Sequence, residues 1–271
     1  NNSVAADSFS GGGSNGNNRG YGAGVSISGN GKNLAIVGRE DVNDAHFGFD
    51  FGRILLFTFD DTNFSNATLR GQLYNGASGS NDLDTSGMYM RNVALDQDGD
   101  RLVYSFDAIR RNSVINDYTV GTALSIPGVR TVKFDDTNFS NPQHVGIIGT
   151  RFSSFDIPLT SNDLDMYAGE SEFTGSWGHH VDVALNADGS RLALTYQDFT
   201  METNFQQREG INLISFSDTN FSSPSFTGRI GVGNTGYMQG IDLTGSHSLD
   251  IGYDAPIENN RIIWRAGGSY F

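Results

Sequence analysis

Cysteine is absent from the 271 residues of this sequence, and proline occurs only 5 times. Nor is there a run of the roughly 18 apolar residues that a membrane-spanning helix needs. Without cysteine the chain forms no disulfide, so its stability must come from the core, from bound ions or from assembly. Without a long apolar run, no transmembrane segment is expected.

Basic residues are also scarce, with 17 Lys and Arg against 31 Asp and Glu, for a net charge of −14. Binding to nucleic acid depends on basic patches that release counterions from the phosphate backbone. This charge therefore argues against a nucleic-acid partner. It suits the acidic surface of a protein that works in a salty or calcium-containing medium.

Glycine, in contrast, is abundant, with 35 residues, and Asn, Ser and Asp crowd the segments between short apolar runs. These residue types are the ones that tight turns require. The pattern predicts many short strands in an all-β chain. A single domain covering residues 1–271 is sufficient for this length.

A repeat organises these strands. An apolar alternation, a turn and a second alternation recur at 25–36, 93–104, 183–194 and 241–251. Period-two alternation on both sides of a Gly-containing turn predicts a β-hairpin. A third strand follows each hairpin, and a fourth follows the third in the first three copies, so each unit is predicted to be a four-stranded antiparallel meander.

A nearly identical hexapeptide lies between the third and fourth strands of three units. It reads Asp-Asp-Thr-Asn-Phe-Ser at 60–65 and 135–140, and Ser-Asp-Thr-Asn-Phe-Ser at 217–222. Its Asp and Asn favour Asx-type turns, and its Phe is suited to plug the end of the sheet. Each of its Asn residues also begins an N-glycosylation sequon, for which the turn itself is the simpler explanation.

The fourth unit lacks the hexapeptide and the last strand, and the amino terminus supplies a match: residues 8–11 resemble residues 225–228. Four sheets of this size predict a β-propeller, with the last blade completed by the N-terminal strand. The predicted blades cover about 17–73, 74–149 and 150–231, and then 232–271 together with 1–16. Closure of this kind would remove open sheet edges.

An aromatic or His residue precedes each hairpin anchor by four positions, at Tyr21, Tyr89, His179 and Tyr237, and residues 34–38 read Leu-Ala-Ile-Val-Gly. With the following turns, this pattern resembles the FG-GAP repeats of integrin-α-type propellers and of bacterial surface proteins. The resemblance implies a β-propeller, an extracellular or cell-surface location, an adhesive role and, in some members, Ca²⁺ in an Asp-rich loop. The Gly-Ala-Pro of the family is missing from the first three copies.

Aspartates that alternate along a loop are candidate Ca²⁺ ligands, since two carboxylates two positions apart can share one hard cation. The alternative is a tight turn with solvated carboxylates. His179, His180 and Asp182 could form a second metal site. The alternative interpretation is that His179 fills the aromatic position of the repeat and has a structural role. The predicted calcium ligands are Asp96, Asp98 and Asp100 in one hairpin turn, and Asp82, Asp84, Asp163 and Asp165 in two repeated loops.

Catalytic signatures are missing: there is no nucleophile elbow, zinc-binding helix motif, phosphate loop or cysteine nucleophile. The sequence therefore predicts that the chain is not an enzyme. The predicted function is a structural or adhesive module of a secreted or cell-surface bacterial protein. A polysaccharide-binding or polysaccharide-acting propeller is the alternative.

The split fourth unit adds a prediction about assembly. If the strand around Phe9, Ser10 and Gly11 pairs with the next subunit, the same sequence builds a filament by strand donation. Self-association, extracellular matrix and glycans are thus the expected partners. The first residues, Asn1-Asn2-Ser3, fit a mature exported form.

Overall fold

The computed structural model contains strands joined by turns, and no helix occurs in the part of the chain that it describes. No membrane-spanning helix is therefore found among these residues. The structure describes residues 21–40, 51–74, 76–85, 88–110, 123–124, 128–149, 159–165, 182–199, 207–231, 240–242, 257–258 and 261–262.

The first sheet has five strands in chain order. Its first four strands form an antiparallel meander, and the short fifth strand runs parallel to the fourth. Asn30 and Gly31 sit in the tight turn of the first hairpin, where Gly31 has a φ of 72°. The strands are β1 (Tyr21–Ile27), β2 (Asn33–Glu40), β3 (Phe51–Thr58), β4 (Thr68–Tyr74) and β5 (Leu83–Asp84).

The second sheet repeats this plan in the order β11, β10, β9, β7, β6, and a short strand, β8, pairs with the end of β7. Its last pairing, between β10 and β11, is again parallel. The strands are β6 (Met88–Leu95), β7 (Arg101–Arg110), β8 (Ala123–Leu124), β9 (Gly128–Lys133), β10 (Gln143–Gly149) and β11 (Leu164–Asp165).

The third sheet has the same order and the same parallel fifth strand. A separate antiparallel pair, β17 and β18, follows it. The strands are β12 (Val183–Leu185), β13 (Arg191–Phe199), β14 (Gln207–Ser215), β15 (Ser225–Gly231), β16 (Gly240–Asp242), β17 (Ile257–Glu258) and β18 (Arg261–Ile262).

The predicted four-stranded meander is thus present in three sheets, and two details of the prediction are wrong. Each sheet has a fifth strand, which is too short to show period-two alternation in the sequence. The sequence predicts residues 241–243 as the first strand of the fourth unit, and the structure describes residues 240–242 there. They lie instead along β15, with Ile241 opposite Ile230, as Leu83 lies opposite Leu73 in the first sheet.

The core lies in two layers between successive sheets, so the second sheet is covered on both faces. Burial of each such side chain contributes about 1.5–3 kcal/mol. In the first layer Ala35, Val37, Ile54, Leu56 and Leu73 pack against Val93, Leu95, Leu102, Tyr104 and Phe139. In the second layer Val103, Val129 and Ile148 pack against Val183, Leu192, Leu194, Ile214 and Phe221.

The predicted closure of a ring falls mostly outside the described residues. Of the proposed fourth unit, only residues 240–242, 257–258 and 261–262 are described, and Phe9, Ser10 and Gly11 lie outside the described part. The described chain is therefore all-β, with three mainly antiparallel sheets stacked in sequence order and one separate strand pair.

Candidate functional site

The repeated hexapeptide forms the same turn three times. In each turn, the aspartate at the second position accepts hydrogen bonds from later residues of the same turn. Asp61 Oδ1 accepts the backbone N–H groups of Asn63 at 2.9 Å and Ser65 at 3.1 Å, and its Oδ2 accepts the Ser65 hydroxyl at 2.9 Å. The hydrogen bonds from Ser65 contribute most to lowering the pKa of Asp61. Asp136 and Asp218 accept the same pair of backbone N–H groups in their own turns.

The phenylalanine of each hexapeptide has a left-handed backbone, with φ of 58° at Phe64, 61° at Phe139 and 62° at Phe221. Such a conformation is costly for a bulky residue and persists only where the surroundings fix it. Here the ring supplies the fixing contact, because each one packs edge-to-face against the phenylalanine that directly follows the preceding strand, with centroids 4.9–5.1 Å apart. The hexapeptide is a structural turn.

Two of the predicted calcium loops, at 80–84 and 161–165, fold back onto the fourth strand of their own sheet. Asp82 Oδ1 accepts the backbone N–H of Gln72 at 2.9 Å, and Asp163 Oδ1 accepts that of Ile147 at 2.7 Å. Asp84 Oδ1 accepts the N–H of Gly76 at 2.9 Å. Each of these carboxylates therefore already binds a backbone donor.

The third predicted calcium site, the turn at 96–100, is organised around an arginine. Asp96 is buried and accepts Arg101 Nη1 at 3.2 Å and the backbone N–H of Gly99 at 2.8 Å. The same Nη1 lies 2.7 Å from Asp100 Oδ1. Asp98 joins the network through its backbone carbonyl, which accepts Asn30 Nδ2. Burial, followed by the charge of Asp100, raises the pKa of Asp96 to about 6.

The guanidinium of Arg101 thus supplies the positive charge between Asp96 and Asp100. Among the described residues, no three His, Cys, Asp or Glu side chains converge on a metal-sized site. Calcium binding by the seven aspartates stays a prediction, which a calcium titration of the Tm would test. Of the alternative metal cluster, His179 and His180 lie outside the described residues.

Hydrogen bonds between the hairpin turns join successive sheets. The backbone N–H of Asn30 in the first sheet donates to the carbonyl of Gln97 in the second at 2.9 Å, and the N–H of Gln97 donates to the carbonyl of Ala187 in the third at 2.9 Å. The donor belongs to the earlier sheet each time. The contact between sheets is therefore directional, with two different surfaces meeting.

The outer face of the first sheet is uncovered at positions that the second sheet buries. Val25 and Ile27 pair across the hairpin with Ile36 and Leu34, so these four side chains share one face. Val25, Ile27 and Phe64, which we call the open face, are 56%, 47% and 49% exposed. Their equivalents in the second sheet, which are at most 7% exposed, are Val93, Leu95 and Phe139.

A polar cluster inside the first core layer was not predicted from the sequence. Tyr104, Arg130 and His144 are related by the strand register, and they occupy positions that the first sheet fills with aliphatic residues. His144 Nε2 donates to the backbone carbonyl of Asp84 at 3.0 Å. Within the described part of the chain, His144 Nδ1 and Arg130 Nε are buried without hydrogen-bond partners. An alignment of the repeats would have revealed the cluster, because equivalent positions are aliphatic in the first unit and polar or aromatic in the second.

No family model matches the chain, and no curated protein matches it. The resemblance to FG-GAP repeats therefore stays a prediction. Among solved structures, the chain is similar to a periplasmic gluconolactonase of Pseudomonas aeruginosa, with 11% identity and a TM-score of 0.35 over 72% of this chain and 39% of that one. It is also similar to Kuenenia stuttgartiensis hydrazine synthase, with 10% identity and a TM-score of 0.34 over 77% of this chain and 53% of that one.

Both neighbours are propeller-like proteins, and the described part of this chain is all-β. The chain spans about half or less of the length of each of these two proteins. TM-scores this low carry no argument about what the chain binds.

One prediction from the sequence is corrected by this comparison. The absence of familiar motifs predicted that the chain is not an enzyme, yet the first of these neighbours is named for a catalytic activity. Missing sequence motifs therefore do not exclude catalysis for this class of architecture. The similarity assigns no reaction to this chain.

Proposed function

We propose that the chain is a structural and adhesive module of a secreted or cell-surface protein that binds another macromolecule through the open face of its first sheet. The observation that carries the proposal is the exposure of Val25, Ile27 and Phe64 at positions that are buried in the second sheet. A cluster of large apolar side chains left in water marks an interaction surface.

Energetics support this use of the open face. Its three side chains are each about half exposed. Covering the exposed half of each would contribute about 1 kcal/mol, before the costs of association are subtracted. The face is also part of a regular sheet, with its backbone held by the β1–β2 and β2–β3 pairings. A partner would therefore bind a surface that is already ordered, which reduces the entropic cost of binding.

A structural role is further supported by the way the acidic side chains are used. Asp61, Asp82, Asp96 and Asp163 each accept backbone N–H groups that fix a turn or a loop. Directional hydrogen bonds between hairpin turns then hold the sheets in sequence. The result is a stack of hydrogen-bonded sheets that presents the open face at one end.

Three finer predictions belong to this proposal. The open face is where a fourth blade would pack if residues 232–271 and 1–16 closed a four-bladed propeller. Strand donation by residues 9–11 would instead complete that blade from another subunit. The FG-GAP resemblance implies the same cell-surface setting, and the acidic composition fits it.

A binding experiment with separate arms tests the function. The purified chain would be immobilised and exposed to collagen, to dextran or to the same chain in solution. Val25→Lys/Ile27→Lys should abolish macromolecular binding, because two charges would have to be buried in the contact. Leu159→Lys is the matched control, since Leu159 is a similarly exposed apolar residue outside the open face.

Binding of collagen or of the chain itself that is lost in the double variant supports the adhesive role. Binding of dextran that both variants retain would favour the alternative of a polysaccharide-binding propeller. If no arm binds, or if Leu159→Lys lowers binding as much as the double variant, the proposal fails. Circular dichroism of each variant would confirm that the sheets remain folded.

A further inference from the structure

The contact between successive sheets includes a side chain that reaches to the next hexapeptide. Asn33, at the start of β2, donates from Nδ2 to the backbone carbonyl of Thr137 in the second sheet. Arg101, at the equivalent start of β7, donates from Nε to the carbonyl of Thr219 in the third. The first and second sheets therefore each offer a side-chain donor to the threonine of the sheet that follows.

If this contact is extended to the first and third sheets, one donor and one acceptor remain without an equivalent partner. Arg191, at the start of β13, is the equivalent donor of the third sheet, and it is exposed. The hexapeptide occurs only three times, and two of its threonines already serve as acceptors. The threonine left over is Thr62 in the first sheet, which is also exposed. Residues 232–271 contain no fourth hexapeptide that could replace it.

Charge complementarity supports a pairing of these two ends. Thr62 follows Asp60 and Asp61, so the leftover acceptor lies in an acidic loop. Arg101 already makes the corresponding contact, with Thr219, which follows Asp218. In a chain of net charge −14, an exposed arginine is one of few groups that this loop would attract.

The apolar residues on the outer side of the third sheet also support a pairing of the third sheet with the first. On the outer side of the third sheet, Ala193 and Leu213 occupy the positions that Ala35 and Leu56 hold in the first. Ala35 and Leu56 are fully buried against the second sheet, whereas Ala193 and Leu213 are only partly buried. Both ends of the stack are therefore less covered than their internal equivalents, although β17 lies beside β12 of the third sheet.

We infer that the partner of the open face is the third sheet of a second copy of this chain, with Arg191 of each copy donating to Thr62 of the other. This inference rests on the proposed function and names its partner. The three large sheets of the described residues are too few to close a ring by themselves, because propellers typically have four to eight blades. Two copies in two identical contacts supply six sheets, and a contact between two different surfaces closes when its rotation allows.

The absence of cysteine makes a cross-linking test clean. Single variants Thr62→Cys and Arg191→Cys would be mixed and treated with a short bis-maleimide. A covalent dimer should form in the mixture and in neither variant alone. The positive control is Arg101→Cys/Thr219→Cys, which places the same pair inside one chain and should cross-link without any gain in mass. Leu159→Cys mixed with Arg191→Cys is the negative control.

Sedimentation velocity of the unmodified chain gives the second readout. The expected species has twice the 29.3 kDa mass of one chain. Arg191→Asp should weaken the dimer about tenfold or more, because it places a like charge against the loop that contains Asp60. Asp60→Arg combined with Arg191→Asp should restore much of the loss.

Several results would overturn the inference. A monomer at all concentrations would do so, as would a Thr62→Cys/Arg191→Cys chain that cross-links only within itself, since that would place closure inside one copy. A ladder of species longer than two would reject the closed pair. Collagen binding that is lost in Val25→Lys/Ile27→Lys while the chain stays monomeric would leave the adhesive function standing and remove only this partner.

Discussion

The rings of Tyr104 and His144 lie with their centroids 6.4 Å apart inside the core layer between the first and second sheets. Arg130 lies directly opposite Tyr104 in the strand register. Burial, followed by the charge of Arg130, lowers the pKa of His144 to about 4, and burial raises that of Tyr104. His144 and Tyr104 are therefore uncharged near neutral pH, and Arg130 carries the charge of the cluster.

His144 should make the protein less stable in mild acid. Its folded pKa of about 4 lies below the ordinary value of 6.5, so the unfolded chain binds more protons between these limits. The stability that the neutral ring contributes is present above pH 6.5 and is lost as the pH falls toward 4. His144→Leu, which restores the residue type found at Leu69, should remove this loss. Chemical denaturation at pH 5 and pH 8 measures it, and an equal effect at both values would contradict the prediction.

Asp96 should have the opposite dependence on pH. Its pKa of about 6 in the folded state is above the ordinary value of 3.8, so its contribution is complete below pH 3.8 and is lost as the pH rises through 6. Asp96→Asn should therefore flatten the stability profile between pH 4 and 6. Relative to the unmodified chain, the variant should lose less stability at pH 8 than at pH 4, because the neutral amide avoids burying the charged carboxylate. A profile that stays unchanged in this window would refute the assignment.

Phe139 and Phe64 occupy the same position of two hexapeptides, so a comparison of their alanine variants measures the effect of burial. Both have the same left-handed backbone and the same edge-to-face contact, but Phe139 is fully buried and Phe64 is about half exposed. Phe139→Ala should lower the free energy of unfolding by about 3–5 kcal/mol. Phe64→Ala should cost about 1 kcal/mol or less at protein concentrations low enough to keep copies apart. Equal losses would show that the turn, rather than the core, sets the cost.

Gly146 should be needed for the loop at 159–165 to dock. A Cβ at this position would collide with the backbone oxygen of Asn162, so Gly146→Ala must push the loop away. We expect a loss of about 1–3 kcal/mol and faster proteolysis within 159–165. Gly76→Ala is the control, because a Cβ there meets no atom within 4 Å, although its φ of 81° is strained. Equal proteolysis of both variants would contradict the steric explanation.

Much of the local structure follows directly from the sequence. The hairpins around residues 28–31 and 96–100 were predicted because alternation has a fixed period in a strand and because turns demand particular residue types. The meander and the structural role of the hexapeptide follow from the same local rules. The parallel fifth strands, such as Leu83–Asp84, were missed because two residues are too few to display a period.

The candidate surface and the polar cluster required the tertiary structure. Val25 and Val93 are the same residue type in the same position of the repeat, yet one is exposed and the other is buried. Their difference depends on which sheet lies opposite. Asp82 and Asp96 looked alike as calcium ligands, and only the structure shows a backbone N–H bound to one and Arg101 bound to the other.

The sequence by itself determined the repeat, the all-β class and the turn chemistry, because these depend on residues close together in the chain. Only the tertiary structure decided which faces are covered, which carboxylates are already engaged and which donor and acceptor are left at the ends of the stack. Those properties arise from contacts between sheets tens of residues apart, for which a single sequence carries no local signal.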